Sequence, residues 1–138
     1  MKEECRIIIA GGRDFDDYEL LRKVVNYITT KLLTHNVVFS PYDMVIVSGC
    51  AKGADTLCKR FADEHGHQII KFPADWEQYG KRAGCVRNAE MAKYAVADDC
   101  YGVLVAFWDG KSKGTGHMID TAKRYGLEVH VVEYSKED

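Results

Sequence analysis

Short apolar runs alternate along the chain with longer segments of helical periodicity. Cys5–Ala10 is rich in β-branched residues, is too short for a helix and is stopped by two glycines, so it predicts a buried central strand. Four later runs share this character. The predicted strands are Cys5–Ala10, Met44–Val47, Ile69–Phe72, Gly102–Phe107 and Glu128–Val132.

The segments between these strands have the spacing of amphipathic helices. In segment 16–33 the apolar residues recur every three or four positions, and Asp16 with Glu19 forms a capping box. The predicted helices are 16–33, 53–65, 82–97 and 115–125, with irregular segments at 36–41 and 73–81. The alternation predicts an α/β fold: one Rossmann-like, doubly wound domain with a mostly parallel sheet of about five strands and about four helices.

Glycine-rich junctions follow three of the predicted strands: GGRDF (11–15), SGCAKGAD (48–55) and WDGKSKGTG (108–116). In an open parallel sheet, ligands bind at the carboxyl ends of the strands where the strand order reverses. If the order is 3-2-1-4-5, the three junctions meet at one crevice. Glycine lets the backbone approach a phosphate, and a following helix N-terminus supplies N–H groups and a favourable dipole.

The strict nucleotide motifs do not occur at these junctions. A P-loop counted from Gly110 has Thr115 where its second glycine belongs, and one counted from Gly49 has Ala54. The dinucleotide fingerprint read from Gly114 ends on Ile119. Each junction alone is therefore more typical of a plain strand-to-helix turn than of an anion site, whereas three together favour the anion site.

Composition and charge narrow the function classes. The 138 residues are 46% hydrophobic and 29% charged, which fits one domain over 1–138, and the formal net charge is −2. No global basic field exists, so nucleic acid is an unlikely partner. No run approaches transmembrane length and no secretory signal occurs, which predicts a cytoplasmic protein without a membrane partner.

The cysteines and histidines favour structural roles. The five cysteines are odd in number and lack C-x-x-C spacing, which favours reduced, mostly buried thiols. His65 and His67 have no further ligands at zinc spacing, so no protein-bound metal is predicted.

Four stretches, IIIAGGRDF (7–15), SGCAKGAD (48–55), FPADWEQYGKRAGCVRN (72–88) and AFWDGKSKGT (106–115), resemble the YspA-like branch of the SLOG superfamily. This Rossmann-like group includes the DprA/Smf and Lonely Guy proteins, and the resemblance runs from about Ile7 to Val132. It implies a domain that binds nucleotides or nucleotide-derived ligands. The Lonely Guy relatives hydrolyse the N-glycosidic bond of nucleoside monophosphates with an arginine and a PGGxGTxxE motif. Gly114-Thr115 match the GT of that motif, while Met118 stands at its glutamate position.

Several residues near the junctions admit two interpretations. Arg13 can pair with phosphate while Phe15 stacks on a base; alternatively Asp14 caps the next helix and Phe15 is a hydrophobic staple. Asp55 either bonds a ribose or complements a helix dipole. Trp76 either stacks on a purine or anchors the irregular segment 73–81 by packing.

Three further residues have polar side chains near the expected crevice. The family match places Arg87 near the site as a phosphate ligand. Asp109 is either a catalytic base or ribose contact, or it forms a turn with Gly110. His117 is either a neutral donor to the ligand or a solvated helix residue.

The leading hypothesis is a binding domain, and potentially a sensor, for an AMP, NAD or ADP-ribose type ligand. It requires no cofactor and can form a homo-oligomer. One alternative is a hydrolase of an N-glycosidic or phosphate bond, with Asp109 and Arg87 as catalytic residues; another is single-strand DNA binding like that of DprA. The predicted ligand-binding residues are Gly11, Gly12, Arg13, Asp14, Ser48, Gly49, Lys52, Gly53, Asp55, Arg87, Asn88, Asp109, Gly110, Ser112, Lys113, Gly114 and Thr115.

Overall fold

A parallel sheet forms the centre of the computed structural model, which describes residues 4–38, 40–49 and 54–135. Its strands are β1 (Cys5–Gly11), β2 (Met44–Ser48), β3 (Gln68–Lys71), β4 (Tyr101–Trp108) and β5 (Glu128–Glu133). The strand order is β3-β2-β1-β4-β5, and all four pairings are parallel. The five predicted strands and their order are therefore confirmed.

Helices cover both faces of this sheet, as the doubly wound prediction required. They are α1 (Tyr18–Thr34), α2 (Ala54–His65), the single turn α3 (Trp76–Tyr79), α4 (Ala83–Val96) and α5 (Lys113–Arg124). Side chains alternate along β1, so Ile7 and Ile9 pack with α1 and α2 residues, while Ile8 packs with Met91 of α4 and Met118 of α5. Burial on both faces explains why β1 is almost uninterruptedly apolar.

Two local predictions differ from the structure at helix starts. The N-cap of α1 is Asp17, whose carboxylate accepts a hydrogen bond from the Leu20 N–H at 3.1 Å, so the cap predicted at Asp16 was wrong by one residue. The helix begins at Tyr18, whose side chain is buried in the core together with Leu21. The predicted irregular segment 73–81 contains α3, capped by Asp75.

The strand register brings the carboxyl ends of the central strands side by side. Gly11 at the end of β1 pairs with Phe107 near the end of β4, and Ile9 pairs with Ser48 at the end of β2. The segments after β1 and β4 therefore leave the sheet at one edge, next to the end of β2. In the described part of the chain, no helix is both long and apolar enough to cross a bilayer.

Candidate functional site

A cavity of about 670 Å³ opens at this edge of the sheet. Its volume lies within the range of small-molecule sites. The described lining residues come from the ends of β1 and β2, the segment around α3, and the starts of α4 and α5: Ile9, Ala10, Gly11, Gly12, Arg13, Ser48, Gly49, Pro73, Ala74, Trp76, Gly84, Arg87, Asn88, Met91, Ser112, Gly114, Thr115 and Met118.

Most of the predicted ligand-binding residues line this cavity. They are Gly11, Gly12, Arg13, Ser48, Gly49, Arg87, Asn88, Ser112, Gly114 and Thr115. Asp14, Asp109, Gly110 and Lys113 do not line it. Lys52, Gly53 and the side chain of Asp55 lie outside what the structure describes.

The described lining is positively charged although the chain as a whole has a net charge of −2. Arg13 and Arg87 both border the cavity, and none of the described lining residues is acidic. This local imbalance favours an anionic ligand.

The two long helices that start at the cavity lack side-chain caps. Ser112 at the N-cap of α5 donates its hydroxyl to Thr115 Oγ1 at 3.3 Å, and Arg82 at the N-cap of α4 makes no capping bond within the described residues. By contrast, Asp17 caps α1, which starts away from the cavity. The first-turn N–H groups of α5 are therefore not occupied by a side-chain cap, and such groups bind anions. At α4 the Ala83 N–H is already bonded to the Gly80 carbonyl of the preceding 3-10 turn, Gly80–Arg82.

Both of these helices have glycine as their second residue. An ideal Cβ built on Gly114 would meet no heavy atom within 4 Å in the described structure, and one built on Gly84 would only reach Arg87 and Trp76 at 4.0 Å. Neither glycine has a positive φ. The packing of the protein itself therefore does not require glycine at either position.

Gly84 is not among the predicted ligand-binding residues, because it lies inside the predicted helix 82–97. A glycine within a helical pattern lowers helix stability relative to alanine. This unfavourable residue is the feature of the sequence that could have indicated a functional role for Gly84. Met91 and Met118, which face the cavity from the same two helices, were also not predicted as ligand contacts.

Arg87 is held at the cavity by bonds to two different parts of the chain. Its Nη1 donates to the carbonyl of Gly49 at the end of β2, and its Nε donates to Oδ1 of Asn88 at 3.0 Å. Asn88 is 3% exposed, and its Nδ2 donates to the carbonyl of Gly114 at 3.4 Å and to Nδ1 of His117 at 3.1 Å. Arg87 and Asn88 thereby join the end of β2 to the start of α5.

Asp109 belongs to the turn that leads into α5. Its Oδ1 accepts from the backbone N–H groups of Lys111 and Ser112, each at 2.8 Å, and Gly110 adopts a φ of +81°. These bonds from Ser112 and Lys111 lower the pKa of Asp109. A carboxylate with a lowered pKa is a weaker base, so the geometry favours the turn interpretation over the catalytic one.

Phe15 is part of the core. Its side chain is 1% exposed, its ring stacks on Phe107 at 4.6 Å between centroids, and its edge contacts Tyr134 at 5.0 Å. Stacking of Phe15 on a base is therefore wrong. Asp14 accepts a hydrogen bond from the Tyr134 hydroxyl at 2.8 Å and does not cap α1.

The two tryptophans differ in their surroundings. Trp76, on α3, is 58% exposed and borders the cavity. Trp108, at the end of β4, donates from Nε1 to the Ser112 carbonyl at 3.0 Å and lies against Gly116. Trp108 therefore holds the start of α5, and Trp76 presents an aromatic surface at the mouth of the cavity.

This fold and crevice define a Rossmann-like domain of the SLOG type. The chain belongs to the YspA, cpYpsA-related SLOG family (YAcAr), whose profile matches residues 5–79. The superfamily resemblance inferred from the glycine junctions is thereby confirmed.

Two relatives extend the comparison beyond the profile. The chain is 41% identical over 129 residues to the Gene 61 protein of Mycobacterium phage D29, covering 90% of this chain and 93% of that protein. It is similar in structure to DNA processing protein A (DprA) from Streptococcus pneumoniae, with a TM-score of 0.67 and 17% identity over 98% of this chain. The aligned region covers 52% of that chain, so our protein spans about half its length. The second likeness is one of fold.

Proposed function

We propose that the protein binds a nucleotide or nucleotide-derived ligand of the AMP, NAD or ADP-ribose type in the 670 Å³ cavity. One observation carries this proposal: α4 and α5 both start at the cavity without a side-chain cap, and both have a glycine there that the packing does not require. Phosphate oxygens at the start of α5 would take the place of the missing cap, and Gly84 would let the ligand come close to the start of α4. Arg13 and Arg87 add positive charge on the same lining.

Trp76 supports the nucleoside part of the proposal. A large aromatic side chain with more than half of its surface exposed, bordering a cavity, is a typical contact for a planar ring. In this arrangement the base lies against Trp76 and the phosphates lie toward Gly114 and Thr115.

Binding is favoured over hydrolysis because no described lining residue is a carboxylate. Met118, at the position of the Lonely Guy glutamate, is buried and cannot act as an acid or base. The hydrolase alternative would require a carboxylate such as Asp109, which is engaged in the turn. Measuring base release from AMP and NAD, in the wild type and in Asp109→Asn, tests that alternative directly.

The test of binding is a thermal-shift and calorimetric panel with AMP, NAD, ADP-ribose, adenosine and ribose 5-phosphate. A ligand at about 100 times its dissociation constant adds roughly 2.7 kcal/mol to the stability of the folded state. We expect stabilisation by at least one phosphorylated nucleoside and a weaker effect of adenosine. Equal effects of AMP and adenosine would contradict a phosphate site, and absence of any effect would contradict the nucleotide class.

Two variant pairs assign the binding to this cavity. Arg87→Met is expected to weaken binding, whereas Lys123→Met, an exposed change outside the lining, is its matched control. Trp76→Ala is expected to weaken binding of nucleotides but not of ribose 5-phosphate, and Trp76→Phe is expected to retain most of the affinity. Equal losses from Arg87→Met and Lys123→Met would show that the ligand binds elsewhere.

The same panel can include a single-stranded oligonucleotide and a measurement of oligomeric state. The net charge of −2 leads us to expect no salt-dependent oligonucleotide binding. Both the absence of nucleic-acid binding and the homo-oligomer stay predictions.

A further inference from the structure

A chain of hydrogen bonds leads from the cavity to a second groove between α4 and α5. The groove has a volume of about 360 Å³, and its described lining consists of Cys85, Ala89, His117, Thr121, Arg124 and Tyr125. This series of hydrogen bonds connects the Gly49 carbonyl through Arg87 and Asn88 to His117, and then through Thr121 to Arg124. His117 borders the groove and not the cavity.

The hydrogen-bond donors in this series determine which nitrogen of the His117 ring carries the proton. Arginine has only donors, so the atom of Asn88 that lies 3.0 Å from Arg87 Nε must be the amide oxygen. The Asn88 amide nitrogen then points toward the Gly114 carbonyl and His117 Nδ1 and donates to both. His117 Nδ1 must therefore be an unprotonated acceptor, and the ring proton lies on Nε2.

The other side of the ring agrees with this assignment. Arg124 Nη2 donates to Thr121 Oγ1 at 3.3 Å, and the rotatable Thr121 hydroxyl lies 3.4 Å from His117 Nδ1, where it can donate to an unprotonated nitrogen. The Asn88 amide is the donor that cannot reverse its role. A proton on Nδ1 would oppose it.

We propose that His117 is a positioning residue for the ligand site, whose neutral ring holds Asn88 and, through it, Arg87, so that protonation of His117 weakens ligand binding. The proposal rests on the proposed function, because Arg87 supplies positive charge to the ligand there. Asn88 cannot relieve the conflict by rotating its amide. Rotation would place the amide oxygen against the Gly114 carbonyl and the amide N–H groups against Arg87 Nε.

The charged and titratable groups around His117 come from both packed helices. From α4, Cys85 borders the same groove as His117, and Arg87 is linked to His117 through Asn88. Arg124 of α5 and Tyr125, the residue that follows α5, also border this groove. Lys113 and Asp120 lie one helical turn away on either side along α5. Histidine is the side chain that normally changes charge between pH 5 and pH 8, and both arginines stay charged throughout.

The first test needs no ligand. Nitrogen-15 spectra of the imidazole should show a pyridine-type Nδ1 and a protonated Nε2 for His117 at pH 8. On titration to pH 5, the side-chain signals of Asn88 and Arg87 Nε should shift together with those of His117. An Nδ1-protonated tautomer at pH 8, or an Asn88 signal that does not respond, would overturn the proposal.

The second test measures ADP-ribose affinity by calorimetry from pH 8 to pH 5. ADP-ribose is suitable because a diphosphate diester has no ionisation near pH 6, unlike the phosphomonoester of AMP. We expect affinity to fall about tenfold, which corresponds to the loss of one hydrogen bond that positions a charged group. His117→Asn keeps an acceptor near Nδ1 without a titrating ring, so its affinity should match the wild type at pH 8 and stay constant to pH 5.

His130→Asn and Cys85→Ser are the controls, and both should keep the pH dependence of the wild type. His130 is paired with Glu128 on the edge strand, at 2.7 Å. If ADP-ribose binds and His117→Asn retains the wild-type pH profile, the proposal is wrong while the proposed function stands. If ADP-ribose binds at no pH, the proposed ligand class loses support and the nitrogen-15 titration alone decides the role of His117.

Discussion

Replacement of Gly114 by alanine separates a ligand site from a plain turn, because both interpretations predict a more stable helix but only a ligand site predicts a loss of binding. Gly114 is the second residue of α5, and a Cβ there would meet no described heavy atom within 4 Å. Alanine is favoured over glycine in helices by about 0.5–1 kcal/mol, partly because it restricts the unfolded chain. In a chain of this length that gain corresponds to a rise in melting temperature of roughly 2–4 °C.

The same methyl group should weaken ligand binding. Gly114 borders the cavity where the uncapped N–H groups of α5 would contact a phosphate. A Cβ at this place keeps the phosphate from its closest approach and removes one hydrogen bond to a charged group, which is worth about 1.5–3 kcal/mol. The expected loss of affinity is therefore about ten- to hundredfold.

The assay is a thermal melt of the ligand-free variant, followed by calorimetry with the ligand found in the nucleotide panel. The matched control is Gly126→Ala, which follows α5 at a φ of +79° and lies outside the cavity lining. The control should lose stability because alanine is strained there, and it should keep its affinity. A Gly114→Ala variant that is stabilised but binds as well as the wild type would refute the phosphate site at α5.

Three further predictions concern contacts elsewhere in the structure. Gly49→Ala would place a Cβ 2.8 Å from Arg87 Nη1, so the guanidinium must leave the Gly49 carbonyl. We expect calorimetry to show about a tenfold loss of ligand affinity, with little change in melting temperature. An unchanged affinity would contradict the role of the bond between Arg87 and Gly49. Arg6→Met removes a buried guanidinium that donates hydrogen bonds to Glu4 at 2.9 Å and to the Tyr94 carbonyl of α4 at 2.6 Å. The free energy of unfolding, measured in urea, should therefore fall by about 2 kcal/mol. A change near zero would show that these two bonds do not stabilise the fold. The hydrogen bond to Glu128, together with burial, raises the pKa of Tyr101 to about 12. Because the unfolded chain releases this proton near pH 10, the contribution of Tyr101 to stability is complete below about pH 10 and is lost as the pH rises toward 12. Urea unfolding at pH 9 and pH 11 should therefore show a smaller loss of stability in Tyr101→Phe than in the wild type, whereas an identical loss would argue against this role.

Local patterns were sufficient for the elements and for the edge of the sheet at which the cavity opens. Cys5–Ala10 is apolar at every position except Arg6, and a strand buried on both faces is the arrangement that such a run favours. The glycine junctions after the first, second and fourth strands indicated the edge of the sheet at which a ligand would bind. Both inferences depend on residues that are neighbours along the chain.

Individual side-chain roles at the site depended on distant partners. Phe15 is buried because Phe107 and Tyr134 close over it, and both are about a hundred residues away in sequence. Asp109 had two plausible roles in the sequence, and the backbone N–H groups of Lys111 and Ser112 decide for the turn. A pattern of residue types contains no information about which of several partners a polar side chain will meet.

The sequence by itself determined the α/β architecture, the five strands and the family, because hydrophobic periodicity and glycine placement act over a few residues at a time. Only the tertiary structure decided that Arg87 is held between Gly49 and Asn88, that Asn88 is buried against His117, and that α4 and α5 start uncapped at one cavity. These contacts arise where the parallel strands bring separate loops to one edge of the sheet. Their geometry is set by the packing of the helices on the sheet, which no local stretch of sequence specifies.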